Sequence, residues 1–323
     1  MTIIVTGAAG FIGSNICSTM LRSSDNSVII GIDNYNPYYS SAIKKRRITE
    51  LSKHKRFVFV QSSFDNIRTL ARIRSKFKPT ILVHTASEVG VRNGENNPLT
   101  YVKTNVMGTA TLLETIGNYV HHIVLLSSSS VYGNSSLPFS ENNSLHPTSV
   151  YGTTKACMES YAVNYYARYG TPTTIIRPFS VYGPDGRPDM LPMKLLMASA
   201  LGRPIIVSGR ETKRDWTYID DVASAIALVT NQPNHLQRVN IGFGEPLSNA
   251  HVLRKASAII KTFGYHLEYS FSKQNPIEAI TTWADTTRLR EKYDVKIITP
   301  FELGFQQTAR FFFSHLNLYA KID

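Results

Sequence analysis

Short apolar runs rich in β-branched residues recur along the first half of the chain. Between them lie stretches in which apolar residues return every three or four positions. The runs predict strands at 2–6, 27–32, 57–61, 80–84, 121–127 and 173–177, and the intervening periodicity predicts helices at 11–22, 66–76, 98–118 and 149–169. Strands alternating with helices imply an α/β fold, a doubly wound parallel sheet with helices on both faces. The strands are apolar almost throughout, as strands covered on both sides should be. After Arg177 the rhythm breaks into a segment rich in Pro, Gly and Arg, including Gly183-Pro184-Asp185-Gly186-Arg187-Pro188. Helices at 192–201, 219–230 and 248–263 and strands at 204–207 and 239–242 follow. This pattern divides the chain into a sheet domain over 1–178 and a smaller, discontinuous lobe over 179–323, of which about 219–245 returns to the sheet. Ligands of open α/β sheets bind beyond the carboxyl ends of the strands, so the cleft between the two parts is the expected site.

Bulk properties alter this picture little. Of 323 residues, 42% are hydrophobic and 18% charged, an ordinary globular balance. No apolar run approaches a membrane span, and no charged and apolar leader precedes the first strand, so a cytoplasmic protein without membrane contact is expected. Cys17 and Cys157 have neither metal nor redox spacing, and the histidines show no ligand spacing, so no metal is expected. The net charge of +12 suits a polyanionic ligand. Its one dense run, Lys44-Lys45-Arg46-Arg47, reads as a solvated helix face, with a phosphate contact as the rival. No nucleic-acid partner is expected.

Two motifs carry chemistry. Gly7-Ala8-Ala9-Gly10-Phe11-Ile12-Gly13 lies between the first strand and first helix. Gly7 permits a tight turn, Gly10 close approach to a pyrophosphate and Gly13 helix–strand packing. The helix N-terminus at Phe11 and Ile12 then attracts the phosphates. Asp33, at the end of the second strand, suits the ribose hydroxyls and repels a 2′-phosphate, which favours NAD over NADP. The second motif is Tyr151-Gly152-Thr153-Thr154-Lys155, which stacks a phenol and an ammonium on one helix face. An ammonium there, together with a positive nicotinamide, is expected to lower the phenol's pKa and make Tyr151 a general base. Ser128, at the end of the fifth strand, can hold the substrate oxygen and relay a proton.

With these residues in view, the chain resembles the extended short-chain dehydrogenases/reductases that act on sugar nucleotides, from Val5 to about Phe312. Within them it is most similar to the UDP-glucuronate 4-epimerases. The likeness rests on Asp33-Asn34-Tyr35-Asn36-Pro37-Tyr38-Tyr39, Gly90-Val91-Arg92, Ser127 to Gly133, Arg177 to Pro184, Gly186-Arg187-Pro188-Asp189-Met190 and Lys213 to Asp221. It implies an NAD-binding domain and a UDP-sugar-binding lobe. Asn34, Ser63 and Phe64 would join the glycine loop, Tyr151 and Lys155 around NAD. Ser129, Ser130, Ser180, Arg187, Arg214 and Asp285 would meet the UDP-sugar. Arg187 and Ser180 would pin a glucuronate carboxylate out of the alignment that releases carbon dioxide. Arg214 would bind the phosphates, or pair with Asp215, and Asp285 would reach the uridine. Asn105 would pack beneath the site. A homodimer through helices 98–118 and 149–169 is also implied, so the tyrosines at 161, 165, 166 and 169 read either as core or as dimer face.

Where related dehydratases and decarboxylases carry an extra acid, this chain has Ser129 and Ser130, which favours epimerisation at C4. Other departures are Ser63, where relatives carry an Asp facing the adenine amino group, and Glu88, where they carry Gln. Glu88 either alters substrate choice or pairs with Arg92. Thr85 and Ser87 are also more polar than the family pattern. The resemblance thus implies conversion of UDP-glucuronate to UDP-galacturonate. The alternatives are a 4-epimerase of UDP-glucose or UDP-N-acetylglucosamine, a decarboxylase or dehydratase, and a non-catalytic NAD- or RNA-binding relative.

Overall fold

The computed structural model describes residues 1–23, 26–274 and 279–319. Its centre is one parallel seven-stranded sheet. The strands are β1 (Thr2–Thr6), β2 (Val28–Asp33), β3 (Phe57–Gln61), β4 (Ile81–His84), β5 (His122–Leu126), β6 (Thr173–Pro178) and β7 (Gln237–Ile241). Their spatial order is β7-β6-β5-β4-β1-β2-β3. Ile4 of β1 sits opposite Ile30 of β2 on one side and Leu82 of β4 on the other. The order reverses between β1 and β4, and that switch opens a crevice at the strands' carboxyl ends.

Alternation along the strands builds two cores. Ile3, Val5, Ile29, Val83, Val124, Leu126 and Ile176 face one layer of helices. Ile4, Ile30, Leu82, Ile123, Leu125 and Ile175 face the other. Each such side chain contributes roughly 1.5–3 kcal/mol by leaving water. Among the described residues no helix is long and apolar enough to cross a membrane.

The helices carry their stops in sequence. α1 spans Phe11–Arg22. α3 (Ile67–Phe77) starts at Asn66, whose side chain accepts from the Thr69 amide, and ends at Lys78 in a left-handed conformation. Helix Val150–Tyr169 starts at Ser149, which accepts from the Gly152 amide, and ends at left-handed Gly170. α2 (Ser41–Ser52) corrects the reading of the basic run, because Lys44 and Arg47 are buried rather than solvated. The 98–118 helix is also not one regular element. A π-helical segment, Val102–Gly108, separates the α-helical turns Pro98–Tyr101 and Thr109–Ile116. Single π segments of this kind mark functional sites often enough to draw attention to Asn105.

Beyond β6, three two-stranded pairs build the wall opposite the sheet: Ser180–Tyr182 with Trp216–Tyr218, Ile205–Ser208 with Tyr269–Ser272, and Lys213–Arg214 with Leu247–Ser248. Tyr182, Trp216, Tyr218 and Phe301 pack edge-on and tilted around one another behind that wall.

Candidate active site

A single cleft of about 930 Å³ runs from the β1–α1 loop across the strand ends to Arg214. At the loop end, Gly7 has φ +70° and its amide donates to Ile32 O at 2.8 Å. A Cβ on Gly13 would lie 2.2 Å from Gly7 O, so α1 meets the loop only because that side chain is missing. α1 has no side-chain cap at Gly10 and no acid in its first turn, so its N-terminal amides and positive dipole face the cleft. The Asp33 carboxylate accepts from Ala9 N at 3.0 Å and Tyr35 N at 2.7 Å, which fixes it at the rim. A pyrophosphate and a ribose diol fit this set of donors and acceptor.

Ser63 and Phe64 line the same end, with Asn34. The acid missing at Ser63 returns two residues later. Ser63 Oγ donates to Asp65 Oδ1 at 2.5 Å, and Asp65 also lines the cleft. In the chain alone, only its place in the turn before α3 signals Asp65.

In the middle of the cleft Tyr151, Lys155 and Ser128 converge. Ser128 caps the short turn Ser129–Val131, accepting from Ser130 N at 3.1 Å and donating to Ser130 Oγ at 3.1 Å. Lys155 Nζ donates to Leu126 O at 2.8 Å and lies 6.0 Å from the Tyr151 ring centroid. The Tyr151 phenol is raised above its ordinary pKa, first by burial, while its hydrogen bond with Ser128 and the charge of Arg187 pull it down. Burial also pushes Lys155 down to about 7, against the opposing charge of Glu159. Ser128 and Arg187 are thus the neighbouring side chains that pull the Tyr151 phenol back toward its ionised form.

Beneath them lies a buried polar floor. Asn105 accepts from Glu88 N at 2.7 Å and donates to Thr154 Oγ1 at 3.0 Å and Glu88 O at 3.2 Å, tying the β4 loop to the Tyr151 helix. The Glu88 carboxylate accepts from Asn36 Nδ2 at 2.7 Å. Burial raises its pKa. Arg177 forks onto Glu159 at 2.9 and 2.6 Å. Of the four tyrosines, Tyr165 is core, with Oη donating to Asn118 at 2.7 Å, whereas Tyr169 is exposed.

At the far end the wall holds Ser180, Arg187 and Arg214, while Ser129 and Ser130 line the cleft beside Ser128. Arg214 Nη1 donates to the Lys213 and Ala279 carbonyls at 2.9 and 2.8 Å. Buried Asp215 instead accepts from Thr217 Oγ1 and from the amides of Phe243, Gly244 and Ala284. Asp285 sits apart from this set. It lies outside the cleft lining, and its carboxylate accepts from Thr287 N at 2.9 Å as a helix-start residue. Thr212 and Trp216 also line this end, and their buried Oγ1 and Nε1 atoms have no partner among the described residues.

Comparison with known proteins places these features in company. Residues 3–242 match the profile described as the NAD dependent epimerase/dehydratase family. The chain is 31% identical to the UDP-glucuronate 4-epimerase of Thermodesulfobacterium geofontis, over 99% of this chain and 98% of that one. Its backbone follows that of UDP-glucuronic acid 4-epimerase from Bacillus cereus, solved in complex with UDP-glucuronic acid and NAD. The TM-score is 0.90 and the identity 30%, with 97% of this chain and 99% of that one covered. UDP-glucose 4-epimerase of Thermotoga maritima, solved with UDP-glucose, superposes at TM-score 0.88 with 25% identity, over 98% of this chain and 100% of that one.

Proposed function

The chain belongs to the NAD-dependent epimerase/dehydratase family, and from that premise we propose that it inverts C4 of UDP-glucuronate to give UDP-galacturonate. The route is transient oxidation at C4, rotation of the 4-keto sugar and re-reduction. One observation carries the reading: Ser128, Tyr151 and Lys155 open onto the same cleft as the glycine loop at one end and Arg187 at the other. Gly7, Gly10, Phe11, Ile12, Gly13 and Asp33 would hold NAD, with Phe64 and Asp65 beside its adenine. When bound, NAD supplies the acceptor and then the donor of the C4 hydride.

The chain's own residues handle the proton. Ser128 Oγ holds the C4 oxygen, and Tyr151 Oη takes the hydroxyl proton and later returns it. Lys155 positions the sugar-side ribose and adds positive potential. Neither Ser129 nor Ser130 can supply the second acid or base that elimination requires, so the chemistry stays at one carbon. Ser180 and Arg187 face the carboxylate and hold it out of the geometry that loses carbon dioxide. Arg214 serves the phosphates.

One observation favours a second reading, 4-epimerisation of a neutral UDP-hexose, because the fork of Arg187 is closed on Asp189. Incubation with UDP-glucuronate, UDP-glucose and UDP-N-acetylglucosamine, with products resolved by NMR, tests both. Inversion of UDP-glucuronate supports the first, inversion of only the neutral sugars the second. Binding of NAD without inversion of any of them refutes both. Exposed Leu99 and Met107 on the helical segment before β5 support a homodimer, which light scattering of the purified protein checks.

A further inference from the structure

Arg187 does not meet the cleft as a free cation. Its Nε and Nη2 donate to the two oxygens of Asp189 at 3.0 and 2.5 Å. Tyr38 Oη donates to the same carboxylate at 2.9 Å, and the guanidinium lies 5.5 Å from the Tyr38 ring centroid. Gly90 makes this packing possible, since it sits at φ +94° and a Cβ there would fall 2.6 Å from Tyr38 Oη. All four residues line the cleft. The Arg187 side chain is 18% exposed and that of Asp189 33%, so the acid keeps more contact with water than its partner.

We propose that Asp189 is a specificity-determining residue, which holds Arg187 against Tyr38 and offsets its charge so that the cleft discriminates only weakly between acidic and neutral sugars. The inference rests on the reading of Arg187 as the group facing the sugar's C5 substituent. A guanidinium has five N–H donors, and Nη1 stays available after the fork has closed on Asp189. A hexuronate carboxylate arriving there gains one charge-assisted contact but meets a second carboxylate across the same fork. A hydroxymethyl group meets an almost neutral pair and gains or loses little. The preference for acid is therefore the difference between the Arg187 attraction and the Asp189 repulsion. A residue that merely oriented Arg187 could be an amide; a carboxylate also changes the field.

Asp189→Asn removes the charge while its one amide oxygen still accepts from Arg187 Nη2 and Tyr38 Oη, at the loss of the Nε bond; Asp189→Glu keeps the charge and serves as its counterpart. Dissociation constants of UDP-glucuronate and UDP-glucose are measured by calorimetry on NAD-loaded protein, with kcat/KM for each sugar that turns over. The ratio of affinities shifts toward UDP-glucuronate on the order of tenfold, the weight of one screened charge about 6 Å away. Tyr38→Phe, which removes a hydrogen bond but no charge, and Asp189→Glu, which keeps the charge, leave the ratio within about threefold of wild type. The Arg187 charge also favours ionised Tyr151, so the acid limb of the UDP-glucose kcat/KM profile moves to lower pH in Asp189→Asn. An unmoved ratio, or one that shifts toward UDP-glucose, overturns the proposal while both sugars still bind. If wild type binds neither sugar nucleotide, the functional reading fails and the proposal falls with it.

Discussion

Replacing Lys155 by methionine should abolish turnover and yet stabilise the ligand-free fold. The side chain is 2% exposed, and burial holds its amine at about 7 rather than the ordinary 10.5. A depressed lysine pKa means that the unfolded chain binds more protons than the folded one between those two values, so stability rises with pH across that window. The penalty is full about a unit below pH 7, is already roughly 4 kcal/mol at pH 7, and is gone above 10.5. Methionine is close in length and carries no charge. It also forfeits the bond to Leu126 O, and a buried carbonyl left alone costs about 1 kcal/mol or more. Glu159 stays paired with Arg177, so no acid is orphaned. The net expectation for Lys155→Met is a gain of about 3 kcal/mol at pH 7, about 1 kcal/mol at pH 9 and none near pH 10. Urea denaturation of NAD-free protein, followed by circular dichroism at pH 7 and pH 9, reads these differences as midpoint shifts at constant slope. A variant less stable than wild type at pH 7, or one whose advantage is equal at both pH values, would refute the reasoning.

Three other perturbations follow from the geometry. Tyr151→Phe should lower kcat for sugar inversion by at least about 10²-fold, the usual range for a lost acid–base group, while NAD affinity measured by fluorescence stays within a few-fold. Retention of full turnover would remove Tyr151 from the chemistry. Gly13→Ala places a methyl 2.2 Å from Gly7 O, so the loop must open; NAD affinity should fall at least about tenfold, with a loss of roughly 1–3 kcal/mol in the denaturant midpoint. Ser149→Ala removes the cap on the Gly152 amide and should cost about 1 kcal/mol in the same assay, with KM for NAD unchanged.

What could be read from the chain alone was what is local. The sheet was legible because strands covered on both faces must be apolar along their length, and the loop and Tyr151 helix because their constraints span only a few residues. The Lys44 to Arg47 run misled for the opposite reason. Arg46 and Arg47 both pair with Asp185, far away in sequence and close in space. A periodicity argument treats a charge as solvated, and nothing nearby announces the partner. The π segment at Val102–Gly108 contains no interior proline or glycine that would signal it. The bond by which Asp285 accepts from the Thr287 amide at the start of the next helix was likewise not legible from its position in the chain.

The buried Arg47 shows why the two halves of the cleft need not be considered separately. Its Nη1 donates to Ala9 O of the glycine loop at 3.0 Å and to Tyr39 Oη at 2.6 Å, while its Nε meets Asp185 Oδ2 at 2.7 Å. Asp185 is in a left-handed conformation two residues before Arg187, and its own carbonyl accepts from Arg47 Nη2 at 2.5 Å. One guanidinium therefore ties the backbone of the glycine loop to the loop that carries Arg187. A charge-paired, desolvated cation of this kind is weak evidence for added stability, because its desolvation offsets much of its attraction. Its four N–H···O bonds, held in a fixed plane, instead constrain distance and angle between the loops they join. Hydride exchange between two bound molecules needs that distance held closely, which gives a burial that looks unfavourable in a stability argument a reason to persist in a catalytic one.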